Sequence, residues 1–401
     1  MATTPNLLSD RINALEESQT IAMSRKSREL AAQGHDVINL SLGEPDFNTP
    51  AHIKEAAKKA IDENYSHYPP VAGYADLRKA ICDKFKRENG LNYTPDQILV
   101  STGAKQSIAN AVLTLINPGD EVLVAAPYWV SYLEIIKLAE GKPVLINTDI
   151  GNNFKVTAEQ IEAAITPRTK MFMYSAPCNP TGTVYEKNEL KAIADTFAKH
   201  PGIFILSDEI YEHINFTGKH ESIAQFDNIK ERVILVNGVS KSYAMTGWRL
   251  GFLAAPKWIV DACDKLQGQM TSGACTITQR AAIAAVNSPP SIADGMRKIF
   301  LIRRNLVLEL MKSIRGFKTN TPGGAFYIFP DVTYYFGKTT QDMLIRNAND
   351  LCMYLLNNAH VALVPGEAFG APGHIRFSYS LSEEKLTEAI MRIKDALDEL
   401  G

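Results

Sequence analysis

Short apolar runs alternate with amphipathic stretches along most of this chain. Residues 98–101, 121–125, 143–147, 171–174, 204–206 and 233–236 are runs of mostly apolar residues with the length of buried strands. Between the earlier runs, helical periodicity covers 51–63, 74–88, a stretch from about 105, and one near 130–140. Gly90, just past the second of these, fits a helix C-terminal stop. This strand–helix rhythm predicts a mostly parallel sheet covered on both faces. Ahead of it, residues 1 to about 25 read as an arm before the first helix, and 36–42 as a short strand ending at Gly43-Glu44-Pro45-Asp46. After about residue 290 the pattern changes. A long helix over 292–313, a strand over 325–329, a helix near 341–357, strands at 361–365 and 374–379 and a terminal helix from Glu383 make a smaller α+β unit.

With 401 residues the chain is long enough for about two domains, and 45% hydrophobic with 21% charged content is ordinary for a globular protein. A formal net charge of −2 gives no bulk attraction to nucleic acid or an anionic membrane. No apolar run approaches the roughly 20 residues of a membrane span, and no signal pattern opens the chain. The expectation is a cytoplasmic protein without nucleic-acid or membrane partners. Five widely spaced cysteines without CxxC, and eight histidines without HExxH, point to neither a disulfide framework nor a metal site. Gly337-Lys338-Thr339 mimics the end of a P-loop, but Val332 stands where that motif needs glycine.

The candidate chemistry lies at the ends of the apolar runs. Val233-Ile234-Leu235-Val236 leads into Ser240-Lys241-Ser242-Tyr243-Ala244-Met245-Thr246-Gly247-Trp248-Arg249. A lysine just past a strand sits where parallel sheets place ligands. Desolvation makes such a lysine a nucleophile, and Arg249 can fork onto a phosphate. An aldehyde that is also a phosphate ester, pyridoxal phosphate, answers both; the plain alternative is a solvated loop. Asp208 ends another run and can pair with a protonated pyridine nitrogen, or simply cap a helix. Tyr211 and Asn179 can each hydrogen-bond the ring's phenolic oxygen, while Asn179-Pro180 can equally be an ordinary turn. Cys178 beside it reads as a small packing residue.

Taken in order, these residues resemble the fold-type I pyridoxal-phosphate aminotransferases from about residue 10 to the C-terminus, most closely the class I beta bacterial aspartate aminotransferases. The resemblance implies a large domain with a mostly parallel seven-stranded sheet sandwiched by helices, with 253–255 antiparallel. It also implies a small α+β domain from both termini. The corresponding divisions are 1–47 for the arm and part of the small domain, 48–300 for the large cofactor-binding domain and 301–401 for the C-terminal small domain. Lys241 matches the Schiff-base lysine, Asp208 the pyridinium partner, and Tyr211 with Asn179 the pair at the phenolic oxygen. Trp129 matches the tryptophan stacked on the ring. Gly103-Ala104-Lys105, Ser240 and Arg249 match the phosphate cradle. Tyr68 matches a tyrosine that reaches the phosphate of the neighbouring subunit, which implies a homodimer with shared active sites. Arg376 matches the α-carboxylate clamp, with Gly43, Trp129 and Asn179 in the same substrate-binding set. One position departs from the wider family: Gly238 stands where many relatives carry serine three residues before the lysine, which puts that serine's phosphate bond in doubt.

The implied reaction is transamination between L-aspartate or glutamate and a 2-oxo acid, with 2-oxoglutarate and oxaloacetate foremost. Lys105, Ser18 and Thr20 match the positions that read a distal carboxylate in class I beta enzymes, although Ser18 and Thr20 can also be plain helix caps. Prephenate or an aromatic 2-oxo acid is the alternative acceptor. A pyridoxal-phosphate C–S lyase would share Lys241, Asp208 and Tyr211, and a non-enzymatic regulator would need a DNA-binding unit for which no basic helix-turn-helix signal is found.

Overall fold

The computed structural model describes residues 7–340 and 343–400. In chain order its strands are β1 (Ile38–Asn39), β2 (Ile98–Ser101), β3 (Glu121–Ala126), β4 (Lys142–Asn147), β5 (Thr169–Ser175) and β6 (Phe204–Asp208). There follow β7 (Val233–Gly238), β8 (Gly251–Ala254), β9 (Tyr327–Ile328), β10 (Val361–Ala362), β11 (Val364–Pro365) and β12 (Ile375–Ser378). Seven of them form one sheet in the order β2-β8-β7-β6-β5-β3-β4. β8 runs antiparallel to β2 and β7, and the other pairings are parallel.

The sheet is apolar on both faces because helices cover both. Alternate residues divide between two clusters. Leu123, Phe172, Ile205 and Leu235 pack on one side, with the helices Ala75–Lys84 and Lys187–Ala198. Val122, Val124, Met171, Met173, Leu206, Ile234 and Val236 pack on the other, with Ala104–Leu115 and Lys257–Met270. A third cluster joins Met23, Ile38 and Leu40 to Phe300, Phe326, Leu351, Ile375 and Ile390, so the N-terminal segment packs with the last hundred residues. β1 pairs in parallel with β10, and β12 lies between β11 and β9. Among the described residues no helix is long and apolar enough to cross a membrane.

Several elements differ in extent from the sequence reading. A helix over Gln19–Ala32 begins inside the expected arm and runs past its end, and it buries only Met23, Ser24 and Ser27. Its apolar face is too thin to register as helical periodicity. Residues 1–6 of that arm lie outside the described residues. The helix expected near 341–357 is Ala348–Asn358, started by Asn347, whose side chain accepts from Asp350 N–H. Residues 341 and 342 again lie outside the description. The helix over 74–88 ends its regular part at Lys84 and widens into a π-type turn, Phe85–Asn89, before Gly90 at φ +70°.

Candidate active site

The parallel strands deliver their chemistry to one edge of the sheet. Asp208 is the last residue of β6, and Asn179, Trp129 and Gly103 follow the ends of β5, β3 and β2. Lys241 follows β7 by three residues. There they meet Gly43, just past β1, and Arg376 in β12. The described residues enclose a cavity of about 300 Å³, with Lys241, Asp208, Arg376 and Trp129 in its walls.

The lysine loop is held from three directions. Ser242 Oγ lies 2.7 Å from His213 Nδ1, Thr49 Oγ1 donates to the Ala244 carbonyl at 2.6 Å, and Thr246 Oγ1 donates to Glu44 Oε2 at 2.9 Å. Lys241 itself donates to the Gly43 carbonyl. Burial, reinforced by Arg376 and Arg249 and partly opposed by Glu44, lowers its pKa to about 8. A larger share of this amine is neutral near pH 7 than for an exposed lysine.

Asp208 is buried, and burial raises its pKa to about 6 against the opposing hydrogen bonds from Tyr132 and the Ile210 N–H. A carboxyl in this setting gains most from a cationic hydrogen-bond donor in the cavity. Its side chain takes no helix-capping role: the next α-helix after β6 is Lys257–Met270, led by Pro256. Four residues on from Asp208, Glu212 is anchored by buried Lys84, by Asn89 at 2.9 Å and by Asn237 at 2.8 Å. Burial raises the Glu212 carboxyl, but Lys84, His213 and His220 outweigh it and hold it well below the usual range. The Lys84 ammonium already serves as counter-ion between Glu88 and Glu212.

A cradle for an anion lies at the start of the helix Ala104–Leu115. Gly103 has φ +85°, and a Cβ there would overlap the Arg249 guanidinium. A Cβ at Gly251 would overlap the Ala104 backbone. These contacts bring Arg249 against the first turn, where the leading N–H groups have no intrahelical acceptors. Arg249 is exposed, in the left-handed region at φ +54°, and donates to the Thr246 carbonyl at 2.9 Å. Ser240 is buried beside it in the cavity wall. Gly238 has no room for the serine of many relatives. An added Cβ would stand 2.9 Å from Gly251 Cα and 3.0 Å from the Leu250 carbonyl.

Arg376 is fully buried. It donates to Asn179 Oδ1 at 2.9 Å and to the Ser41 carbonyl at 2.6 Å, while its Nε has no protein partner. Because a guanidinium only donates, the Asn179 oxygen faces it and the Asn179 amide N–H groups remain as donors. At the outer end, Lys105 Nζ lies 4.9 Å from the Trp129 ring centroid, and burial and Arg249 both lower its pKa. Ser18 stands at the start of Gln19–Ala32 but makes no side-chain cap, and Thr20 Oγ1 is buried without a partner. Both line the cavity with Lys105.

Two expected residues are not in the cavity wall. Gly103 shapes its floor through Ala104 and Arg249, and Tyr68 is 92% exposed, outside the wall. Cys178 is buried with Sγ 3.7 Å from the Pro127 carbonyl, and burial raises its thiol pKa, consistent with a packing residue. Two tyrosines were not picked out in the sequence. Tyr132 donates to Asp208 Oδ2 at 2.8 Å, and Tyr327 Oη lies 2.7 Å from Tyr211 Oη. The spacing of Tyr132 from Trp129, close to one helical turn, was the available signal for the first. Tyr327 lies in β9, within the strand expected over 325–329, but nothing beside it in the sequence marks its side chain as part of the site.

The orphaned Arg376 Nε, the glycine-shaped cradle with its cations and the buried Asp208 carboxyl fit a ligand with anionic ends and a basic ring nitrogen. Known proteins share the pattern. Residues 35–393 match the family described as aminotransferase class I and II. A bifunctional aspartate aminotransferase and glutamate/aspartate-prephenate aminotransferase from Petunia hybrida is 46% identical over 395 residues, 97% of this chain and 82% of that protein. The crystal structure of the aspartate aminotransferase from Rhizobium meliloti matches with a TM-score of 0.95 at 41% identity, over 98% of this chain and 99% of that one. The aspartate aminotransferase from Thermus thermophilus with maleate matches with a TM-score of 0.91 at 39% identity, over 97% and 99%.

Proposed function

The chain belongs to the class I and II aminotransferase family, and from that premise we propose that it binds pyridoxal phosphate and moves an amino group between L-aspartate or glutamate and a 2-oxo acid, oxaloacetate or 2-oxoglutarate. The observation that carries this reading is the convergence of the Lys241 amine, the Asp208 carboxyl and the Arg376 guanidinium on one cavity. When bound, the cofactor supplies an aldehyde that accepts the amino group and a ring that withdraws electrons from the substrate Cα.

Lys241 would hold that aldehyde through its Nζ, and the same Nζ, once free, would serve as the base that takes the proton from the substrate Cα. Asp208 keeps the proton on the ring nitrogen, and Tyr132 holds the carboxylate in place. Tyr211 and the Asn179 amide donate to the phenolic oxygen. Trp129 covers the ring face. The N–H groups at Gly103-Ala104-Lys105, with Ser240 and Arg249, bind the phosphate. Arg376 forks onto the α-carboxylate beside Gly43 and Asn179. Lys105, Ser18 and Thr20 read the distal carboxylate, a role supported by a Ser18 side chain that makes no helix cap and an orphaned Thr20 hydroxyl. The exposure of Tyr68 suits a residue that serves the neighbouring subunit, so the proposal includes a homodimer with shared sites, working in the cytoplasm.

Prephenate, another dicarboxylate, is the second acceptor this site suits, and the Petunia relative's name includes it. The test is a half-reaction panel read by absorbance. Aspartate and glutamate should bleach the yellow form, and oxaloacetate, 2-oxoglutarate or prephenate should restore it. Release of pyruvate and ammonia from cystathionine, with no bleaching by aspartate, would replace transamination by C–S lysis.

A further inference from the structure

Tyr327 is fully buried in β9, opposite Ser378 of β12 and so beside Arg376 on that strand. It touches three parts of the site. Its hydroxyl lies 2.7 Å from that of Tyr211. Its ring centroid is 4.6 Å from the Arg376 guanidinium carbon. Its Oη would stand 2.6 Å from a Cβ at Gly43, the residue whose carbonyl Lys241 bonds.

A phenol has one proton to give. If Tyr211 donates that proton to the phenolic oxygen of the cofactor, it cannot also donate to Tyr327. The proton between the two tyrosines must then come from Tyr327. We infer that Tyr327 is a positioning residue that donates to Tyr211 and so strengthens Tyr211 as the donor to the cofactor's phenolic oxygen, while its ring face holds the Arg376 guanidinium. The inference rests on the pyridoxal-phosphate reading and adds to it a fixed order of donors, Tyr327 to Tyr211 to the ligand. A hydroxyl that accepts a hydrogen bond donates a stronger one. Burial raises both phenols, Tyr211 well above the usual tyrosine range, so both protons are present at working pH.

The test uses the holoenzyme and the pH at which its visible band changes. A donor to the phenolic oxygen favours the deprotonated chromophore, so losing the donor raises that midpoint. Wild type, Tyr211→Phe, Tyr327→Phe and the double variant are titrated, each first shown to bind one cofactor per subunit. Tyr211→Phe should raise the midpoint. Tyr327→Phe should raise it by a smaller amount, up to roughly one pH unit, the size of one neutral hydrogen bond. The double variant should match Tyr211→Phe alone, because Tyr327 acts only through Tyr211. If Tyr211→Phe shifts the midpoint and Tyr327→Phe does not, or the two shifts add, the relay is wrong while the assignment of Tyr211 stands. If Tyr211→Phe itself causes no shift, the relay falls together with that assignment.

Discussion

The Tyr132 hydroxyl donates to Asp208 Oδ2 across 2.8 Å, joining the helix Ser131–Leu138 to the end of β6. This bond favours the ionised carboxyl, whereas burial favours the neutral one and raises its pKa to about 6. Asp208→Ala should leave the fold intact and lower kcat by orders of magnitude, as expected for a preorganised charge. Tyr132→Phe removes one stabiliser of the carboxylate. Asp208 should then stay protonated to higher pH, and the acidic limb of kcat/KM should move upward. Near wild-type kcat in Asp208→Ala would make Asp208 a structural residue.

Specificity should divide between two cations. Lys105→Ala should lower kcat/KM for aspartate and glutamate by about tenfold to a hundredfold, the loss of one charge-assisted hydrogen bond. Alanine and phenylalanine should change little. Arg376→Ala should weaken every amino acid, because each carries an α-carboxylate. Equal losses on charged and uncharged substrates in Lys105→Ala would assign that lysine to the cofactor or the fold.

Gly238→Ser should restore no phosphate bond and should destabilise the protein by about 1–3 kcal/mol, the usual penalty for overpacking a core. The new Cβ would meet Gly251 Cα at 2.9 Å and the Leu250 carbonyl at 3.0 Å, and backbone cannot turn aside as a side chain can. Thermal unfolding reads the result. A midpoint at or above wild type would show that β7 and β8 separate to admit the side chain.

Much of this was legible in the chain because parallel α/β topology turns sequence order into geometry. Runs such as Val233-Ile234-Leu235-Val236 are buried on both faces and stand out as strands, and their C-terminal ends carry Asp208, Asn179 and Lys241 to one edge. Legibility failed where the apolar signal was thin, as in Gln19–Ala32. It also failed where a side chain acts through a long-range contact. The bonds between Tyr132 and Asp208 and between Tyr211 and Tyr327 span 76 and 116 residues, and no local pattern encodes them. The tightness around Gly238 likewise comes from β8 and its approach, not from the residues beside it.

Tyr68 should act across a dimer interface. Mixing Tyr68→Phe subunits with Lys241→Ala subunits gives hybrids with one lysine-bearing site. That site receives its tyrosine from the Lys241→Ala partner, which carries the unaltered Tyr68. Its affinity for pyridoxal phosphate should therefore be restored to the wild-type value. A persisting defect would show that Tyr68 serves its own subunit.

The most direct test of the central claim is borohydride reduction of the yellow holoenzyme followed by peptide mapping. The Lys241 amine, lowered to about 8 and facing the same cavity as Asp208 and Arg376, should carry the reduced cofactor in a one-to-one ratio with subunits. A label on any other lysine, or no label on a fully loaded protein, would contradict the account.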